Sequence, residues 1–366
     1  MIGGKTVTYT LLEEPRRKRI KHPRSTAIVA LALVAIIFYA FLELESAPLY
    51  YAPPHPQSTP VAIGIADYGI GTMNNGKEVL YSVNASQVTA TSTLYSMSFP
   101  SVVSSVTTEA SLQLNVNLVV KTAGSTYVYW LQNVEGFWET PTSTSASLLA
   151  VVDNVWNVTA RGSNVTETGI SGVGSVSYSK SRDVTFYSAW AVLYGANGQF
   201  LYFTFPLQLV SSIDLTIPRN LGNLTVKVGF NVSINGTLRS YPDNQNEAPV
   251  IGLTYDNVTI TEPQPVTDAY IYVDYRSLRS GGFGYYDAEY VFGGPGNGSS
   301  ASFSGMDCTM SLSYMVGGQM VQPQAVYEFG LDTAEGTTNL STSYAGNNQF
   351  IVTTGIANLT KCYYLD

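Results

Sequence analysis

Alternation of apolar and polar residues with a period of two dominates this chain after residue 60. In residues 111–120, SLQLNVNLVV, four apolar side chains share one face while Gln113, Asn115 and Asn117 share the other. Residues 223–234, NLTVKVGFNVSI, show the same pattern, and so do TYVYWLQNV, DVTFYSAWAVLY, QFLYFTFPLQLV and DAYIYVDY. This alternation is typical of β-strands with one buried and one solvated face.

Clusters of Gly, Asn, Pro and Ser separate these segments at short intervals, as turns do. No stretch after residue 44 has a helical period with capping residues. The sequence therefore predicts an all-β fold, a large antiparallel β-sandwich. We expect one domain over residues 61–366, with the polar segment 239–249 as the best candidate for a seam between two lobes.

The N-terminal region differs in composition from the rest. Residues 1–24 hold seven of the 18 Lys and Arg residues, whereas from residue 43 onward 24 acidic residues face 11 basic ones. An acidic domain of this kind lacks the basic surface that nucleic-acid binding needs. We interpret residues 1–24 as a cytoplasmic basic tail, because an apolar run follows directly.

That run, AIVALALVAIIFYAFL at residues 27–42, reaches 18 residues with Ser25 and Thr26. A helix of this length spans about 27 Å, just enough to cross a bilayer. The upstream cations favour a cytoplasmic N-terminus. We predict a transmembrane signal anchor at residues 25–43, a Pro-rich linker at 44–60 and an extracellular domain beyond, or a secreted domain if the segment is a cleaved signal peptide.

Two further features fit export from the cell. The two cysteines, Cys308 and Cys362, are predicted to form a disulfide in an oxidising compartment, with two free buried thiols as the alternative. Ten glycosylation sequons follow the apolar run. Their acceptors are Asn84, Asn157, Asn164, Asn223, Asn231, Asn235, Asn257, Asn297, Asn339 and Asn358.

Histidine is absent from the predicted domain, since the two histidines are His22 and His55. This excludes Ser-His-Asp and Cys-His catalytic centres and His-containing zinc sites there. The turn GGPGNG at residues 293–298 lacks the Lys of a phosphate loop, and we interpret it as a strand connection. We therefore expect no metal and no cofactor, and carboxyl groups remain as the candidate catalysts.

Four acidic residues stand in distinctive contexts: Asp67 in GIADYGI, Asp153 in VVDNVWN, Glu289 in DAEYVFGGPGNG and Asp332 in FGLDTAEG. Taken together with SLQLNVNL and YWLQNVEGF, these segments resemble the thermopsin family of secreted acid proteases of acidophilic archaea. The similarity runs from about Val61 to Asn339. It implies endopeptidase activity at low pH without a metal, on a protein or peptide substrate, but it implies no secure catalytic pair.

A fainter resemblance links AEYV and WLQNV to the glutamic peptidases, which are β-sandwich acid proteases with a catalytic Glu and Gln. It implies that Glu289 acts as general base and acid while Gln132 holds the water and the oxyanion. The alternatives are an aspartic pair, Asp67 with Asp153, with Asp332 as a poorer candidate, and purely structural roles for Glu289 and Gln132.

Two other classes of protein compete with the enzyme. The first is a catalytically inactive thermopsin-like surface glycoprotein that binds peptide or glycan through its many Tyr and Trp side chains. The second is a structural stalk, whose expected repeats and long low-complexity stretch are not seen. The sequence does not determine the oligomeric state.

Overall fold

The computed structural model describes twelve stretches of the chain, and all of them belong to one compact unit, Ala52–Asp366. They are residues 60–72, 78–100, 109–139, 145–161, 169–180, 183–192, 202–218, 222–234, 253–275, 286–296, 298–333 and 335–365. The described residues form 25 β-strands and no α-helix. The prediction of an all-β fold is therefore confirmed.

Twelve strands form the larger sheet, which we call sheet I, and all of its strand pairs are antiparallel. Its central path runs in the order β10 (Ser175–Ser179), β11 (Val184–Val192), β8 (Ser145–Arg161), β7 (Thr126–Glu139), β6 (Ala110–Thr122), β17 (Ala288–Gly293), β1 (Ala62–Asp67), β21 (Ala325–Gly330) and β25 (Cys362–Tyr364). Off this path, β12 (Tyr202–Thr204) pairs with β8, while β16 (Val266–Asp274) pairs with β6 and with β4 (Ser82–Ala85).

Nine strands form the second sheet, sheet II, which is also antiparallel. Its order is β23 (Ser341–Gly346), β24 (Gln349–Thr353), β19 (Gly305–Val316), β5 (Gln87–Ser98), β13 (Leu207–Thr216), β14 (Thr225–Ile234), β15 (Leu253–Thr261) and β9 (Gly169–Ser171), with β20 (Gln319–Val321) beside β19. Two short pairs complete the description: β2 (Ile70–Thr72) with β3 (Glu78–Leu80), and β18 (Ala301–Ser302) with β22 (Thr337–Thr338).

The two sheets pack face to face, as side chains from one reach the other. The Tyr290 hydroxyl of β17 lies 3.0 Å from Ser92 Oγ of β5, and the Tyr314 hydroxyl of β19 donates to Asp67 of β1. The space between the sheets is filled mainly by the apolar faces of alternating strands, such as Leu112 and Leu114. We call this side of sheet I its inner face and the opposite side its outer face.

Strand β6 shows where the alternation was right and where it was incomplete. Its four apolar side chains, Leu112, Leu114, Val116 and Leu118, are fully buried on the inner face, as the pattern predicts. The opposite face is not solvated, because Gln113, Asn115 and Asn117 are also buried. A buried polar face must find hydrogen-bond partners, and those partners form the site described below.

Several sequence-based predictions need correction or lie outside the described residues. QFLYFTFPLQLV is not one strand but two, β12 and β13, separated by Phe205 and Pro206. The tail at 1–24, the anchor at 25–43, the linker before Pro60 and the segment 239–249 lie outside the described residues. Within those residues, nothing forms a helix with the length and hydrophobicity to span a bilayer.

The predicted disulfide is not formed, and both thiols are free. Cys308 lies on β19 in sheet II and Cys362 on β25 at the edge of sheet I, so no strand pairing brings the two side by side. Cys308 is buried on its strand among apolar neighbours, and its pKa is raised by that burial. The alternative of two free thiols is the one that the structure has.

Two of the glycosylation candidates are buried in the folded domain. Asn157 is 1% exposed and Asn231 is 9% exposed, so neither side chain is accessible to a glycan-transferring enzyme after folding. Asn84, Asn257, Asn339 and Asn358 are exposed and Asn223 is half-buried. The remaining acceptors, Asn164, Asn235 and Asn297, lie outside the described residues.

Candidate active site

Three buried carboxyl groups meet on the outer face of sheet I. Carboxyl oxygens of Asp287, Glu289 and Asp332 all lie within 4.8 Å of one another, and none of the three side chains is more than 1% exposed. We call these residues the outer carboxyl cluster. Within the described part of the chain it is the one group of three or more His, Cys, Asp or Glu side chains placed closely enough to hold a metal ion.

Strand geometry explains how two members of the cluster come together. Glu289 lies in β17, and Asp287 immediately precedes that strand, two residues away. Residues two apart in an extended chain point to the same side. Register pairs Glu289 with Asn115 of β6, so the amides that follow each other at 115 and 117 face the two acids.

Asn117 and Asn115 each supply a hydrogen bond to the cluster. Asn117 Nδ2 donates to the Asp287 carboxyl (Oδ1, 3.2 Å) and to the Asp287 backbone oxygen (3.1 Å). Asn115 Nδ2 donates to Glu289 Oε2 at 3.3 Å. The polar face of β6 thus lines the site, and its burial is tolerated because its amide nitrogens donate hydrogen bonds to the acids.

The third carboxyl group arrives from the loop after β21. The Glu289 carboxylate accepts hydrogen bonds from the backbone N–H groups of Leu331 and Asp332, the latter at 3.2 Å to Oε1. A Cβ atom on Gly330 would lie 2.7 Å from Glu289 Oε2, so glycine is required for this close approach. Glu289 therefore fixes the backbone that carries Asp332.

Tyr68, which follows β1, completes the surroundings of Glu289. Its hydroxyl lies 3.4 Å from Glu289 Oε1 and 3.0 Å from the Phe329 carbonyl oxygen. Burial raises the pKa of Glu289, while the donors from Leu331, Asn115 and Asp332 partly offset this effect. Both Glu289 oxygens are thus occupied by donors from the protein.

The two aspartates differ from Glu289 because they have oxygens to spare. Among the described residues, no donor with good geometry reaches Asp287 Oδ2 or either oxygen of Asp332. Burial raises the pKa of Asp287 well above its ordinary range, and the nearby charges of Asp332 and Glu289 raise it further. Burial likewise raises the pKa of Asp332, with the charge of Glu289 adding to it.

Such a pair does not ionise twice, because two adjacent buried negative charges repel each other strongly. One proton held between Asp287 and Asp332 gives one neutral acid and one carboxylate. The two carboxyl groups are close enough to hold this proton as a unit. The pair therefore offers a general acid and a general base side by side.

Gln132 lies on the same outer face but does not touch Glu289. Register places Asn115 between them, with Gln132 Nε2 donating to Asn115 Oδ1 at 3.2 Å. Two strand spacings, about 10 Å, separate the two backbone positions. The Gln132 side-chain oxygen accepts from Asn154 Nδ2 and Trp156 Nε1, at 3.3 and 3.2 Å.

The predicted alternative pair, Asp67 with Asp153, is not brought together. Asp67 is on β1 and Asp153 on β8, four strands apart in sheet I, or about 19 Å. Both lie on the inner face. Asp67 accepts from the Tyr81 and Tyr314 hydroxyls and from Gly69 N, and burial raises its pKa to about 6.

Sequence reasoning found Glu289 and considered Asp332 but missed Asp287, Asn115 and Asn117 as members of one site. The spacing of two in DAE and in the NVN of β6 was the available signal, because it places both pairs on single faces. The GGPGNG turn is a strand connection, as interpreted. The N–H groups of Gly296 and Gly298 in this turn donate to the Glu335 carboxylate, so they are not available to bind a phosphate.

This architecture defines a class: an all-β protein with a proton-sharing carboxyl cluster on one face of a large antiparallel sheet. The comparison with known proteins is more specific. The Thermopsin family model matches residues 47–340, and the chain belongs to the thermopsin family. All residues of the outer carboxyl cluster fall within this match.

One curated relative is the thermopsin of Sulfolobus acidocaldarius, with 31% identity over 251 residues. The match covers 69% of this chain and 66% of that relative. The chain thus matches just under two thirds of the length of this curated relative.

Proposed function

We propose that this protein is an acid endopeptidase that hydrolyses peptide bonds with water activated by a carboxyl pair and without a metal. The observation that carries the proposal is the outer carboxyl cluster, in which Asp287 and Asp332 share a buried site and have unoccupied oxygens. Family membership supports the same activity, since the relative with 31% identity is named thermopsin.

In this proposal the two aspartates act together. The ionised member of the pair takes a proton from a water molecule as the water oxygen bonds to the peptide carbon. The protonated member donates a hydrogen bond to the carbonyl oxygen, which becomes negatively charged. As the C–N bond breaks, the proton taken from the water passes to the leaving amine, and the pair returns to its singly protonated state.

Glu289 and Gln132 have different roles in this scheme from those the glutamic peptidase resemblance implies. Glu289 is a positioning residue, because its oxygens hold the backbone N–H groups of Leu331 and Asp332. Gln132 orients Asn115, which in turn holds Glu289. The first group to touch substrate is therefore the aspartate pair.

A peptide substrate can reach these carboxyl groups only after a change of conformation. The three carboxyl side chains are closed to solvent in this conformation. Substrate binding must therefore open the outer face above them before a peptide can reach Asp332. A carbodiimide that modifies protonated carboxyls should inactivate the enzyme, and a competing peptide substrate should slow that inactivation.

We also propose that the domain acts outside the cell, with the chain anchored once in the membrane. The basic residues of segment 1–24 and the apolar run at 27–42 support this orientation. The test is protease accessibility in intact cells: the domain should be digested from outside while an epitope at the N-terminus is protected. Digestion of neither end would contradict the proposal.

The activity test is cleavage of a denatured protein substrate by the purified full-length chain over a pH series from about 2 to about 7. We expect cleavage at acidic pH that persists in a chelator and is lost in Asp332→Asn. Asp268→Asn, an exposed acid paired with Lys121, is the matched control and should retain activity. If the wild type cleaved nothing at any pH, a surface protein that binds peptide or glycan would be the better interpretation.

A further inference from the structure

A second group of buried acids lies between the sheets, apart from the outer carboxyl cluster. Asp153 lies on the inner face of β8, and Asp256 of β15 in sheet II is near enough for its charge to act on Asp153. The Tyr187 hydroxyl of β11, the strand that pairs with β8, donates to Asp256 and so connects this part of sheet I to β15. Asp153 and Asp256 are at most 2% exposed. We call them the inter-sheet pair.

The two carboxyl groups of this pair differ in the hydrogen bonds that they accept. Asp256 accepts the Tyr187 hydroxyl at 2.6 Å and Val173 N at 3.3 Å. Neither oxygen of Asp153 has a hydrogen-bond partner with good geometry among the described residues. An ionised Asp153 would be a buried charge without a donor, which is strongly unfavourable. A protonated Asp153 is instead a donor, and the Asp256 carboxylate is beside it.

The groups that face Asp153 provide no positive charge. They are Asp256 and Tyr255 of β15, Tyr187 of β11, and Asn133 and Glu135 of β7. The Tyr255 hydroxyl is already used on Asn133 Oδ1 at 2.7 Å, and Ser211 donates to Glu135. No described Lys or Arg reaches this space. A proton is therefore the available means of neutralising the pair.

We propose that a proton on Asp153, donated as a hydrogen bond to Asp256, locks the β8–β11 region of sheet I to β15 of sheet II, so that the sandwich is tight while this proton is bound and loosens when it is lost. The lock is independent of the proposed catalysis, because it lies on the opposite face of sheet I from Asp287, Glu289 and Asp332.

The sign of the pH dependence follows from the environment. Burial raises the pKa of Asp153 to about 9, and the charge of Asp256 contributes. A raised folded-state pKa stabilises the fold fully below the ordinary pKa of 3.8, and that stabilisation is lost progressively as pH rises toward about 9. The proton therefore stays on Asp153 through the neutral range, while its net contribution to the free energy of unfolding declines, and the lock opens only near pH 9.

The test compares thermal unfolding of wild type and Asp153→Asn across pH. An Asn at 153 keeps the donor toward Asp256 without needing a proton. We expect similar Tm values in acid and a higher Tm for Asp153→Asn near pH 9, so that the difference grows with pH. A Tm difference that stays constant with pH would overturn the lock. Asp268→Asn is the matched surface control and should leave the pH slope unchanged.

Glu135 needs its own control, since burial raises its pKa to about 8. Glu135→Gln should remove a different part of the pH slope, additive with Asp153→Asn. If Asp153→Asn does not fold, infrared spectra of the wild type decide the question. A protonated-carboxyl band that persists at neutral pH, disappears near pH 9 and changes frequency in Asp256→Asn, which alters the acceptor beside Asp153, supports the lock when hydrogen exchange in β8, β11 and β15 becomes faster at the same pH. Loss of that band by pH 5, well below the folded pKa of about 9, overturns it.

Discussion

Sheet I carries buried carboxyl groups on both of its faces, and the two groups are built differently. On the outer face, donors from Asn115, Asn117 and the backbone of Asp332 surround the acids, yet oxygens on the aspartates stay unoccupied. On the inner face, both carboxyl oxygens of Asp67 accept hydrogen bonds, from tyrosine hydroxyls and a backbone N–H.

The difference separates the outer aspartates from Asp67, while Asp153, which also has unoccupied oxygens, lies between the two sheets. A carboxyl group with every oxygen occupied has no lone pair to offer a water molecule. A cluster with fixed neighbours and free oxygens is pre-organised for a reactant. Burial and raised pKa are common to both faces, so neither property by itself identifies the catalytic group.

The largest expected effect tests whether Asp287 and Asp332 act as a unit. Replacing either by Asn should lower kcat by about 10²–10⁴-fold, the range for loss of general acid–base catalysis. The double variant Asp287→Asn/Asp332→Asn should be no worse than the poorer single variant, because both disable one proton-sharing pair. The measurement is steady-state cleavage of a fluorogenic peptide at acidic pH, with folding checked by circular dichroism.

Additive losses in the double variant would contradict the shared-proton mechanism. Retention of full activity in either single variant would remove that aspartate from the catalytic pair.

A smaller effect is expected at Glu289. In Glu289→Gln the side-chain oxygen can still accept the N–H groups of Leu331 and Asp332, but the amide nitrogen then opposes the Asn115 Nδ2 donor at the other position. The side chain shifts, and the loop that carries Asp332 shifts with it. Misplacement by about 1 Å costs up to about 10²-fold. We expect kcat to fall by about 10–10²-fold, a loss smaller than that of Asp332→Asn. The pH–rate profile should keep both limbs but shift to lower pH, because the Glu289 charge that raises the pKa of both aspartates is removed.

A loss in Glu289→Gln that equals or exceeds that of Asp332→Asn, with one limb of the pH–rate profile abolished, would instead restore Glu289 as the catalytic base. Glu289→Asp, which keeps the charge on a shorter side chain, is the companion variant.

The strands were predictable from the sequence because alternation is a local property. A reader of SLQLNVNL can place Asn115 and Asn117 on one face without knowing the rest of the chain. The position of Asp332 could not be predicted from local alternation. It depends on the loop after β21 lying against Glu289, and nothing within FGLDTAEG encodes that contact.

The pairing of distant acids was the least predictable feature. Asp67 and Asp153 occur in similar apolar contexts, but sheet order separates them by β7, β6 and β17. That order is set by long-range strand pairing, which residue patterns do not specify. The disulfide failed for the same reason, since Cys308 and Cys362 belong to different sheets.

Asp67 provides a stability test for the inner face. Its folded-state pKa of about 6 exceeds the ordinary 3.8, so its stabilising contribution is complete below 3.8 and is lost as pH rises through about 6. The difference corresponds to about 3 kcal/mol, at 1.36 kcal/mol per pKa unit. Chemical denaturation of the wild type should show this loss between about pH 4 and pH 6.

The Asp67→Asn variant should lack that part of the slope while being less stable than wild type in acid, because its NH₂ group opposes the tyrosine donors. A slope unchanged in Asp67→Asn would show that Asp67 does not titrate in this window. Its peptidase activity in acid should follow its folded fraction, as expected for a side chain on the opposite face of sheet I from the reacting atoms.

The smallest effect is expected at Gln132, and it discriminates between the two mechanisms for the outer face. Gln132 reaches Glu289 only through Asn115, with bonds of 3.2 and 3.3 Å along the chain of amides. Removing one neutral hydrogen bond from such a network costs about 1 kcal/mol, or roughly fivefold in rate if all of it reaches the transition state. Gln132→Ala should therefore lower kcat by less than about tenfold, and Asn154→Ala, which removes a donor to Gln132, should do less. A loss at Gln132 of the size expected for Asp332→Asn would mean that this amide contacts the reacting carbonyl group. The outer face would then work as a Glu–Gln pair, and Asp287 and Asp332 would take the positioning role that the geometry gives to Glu289.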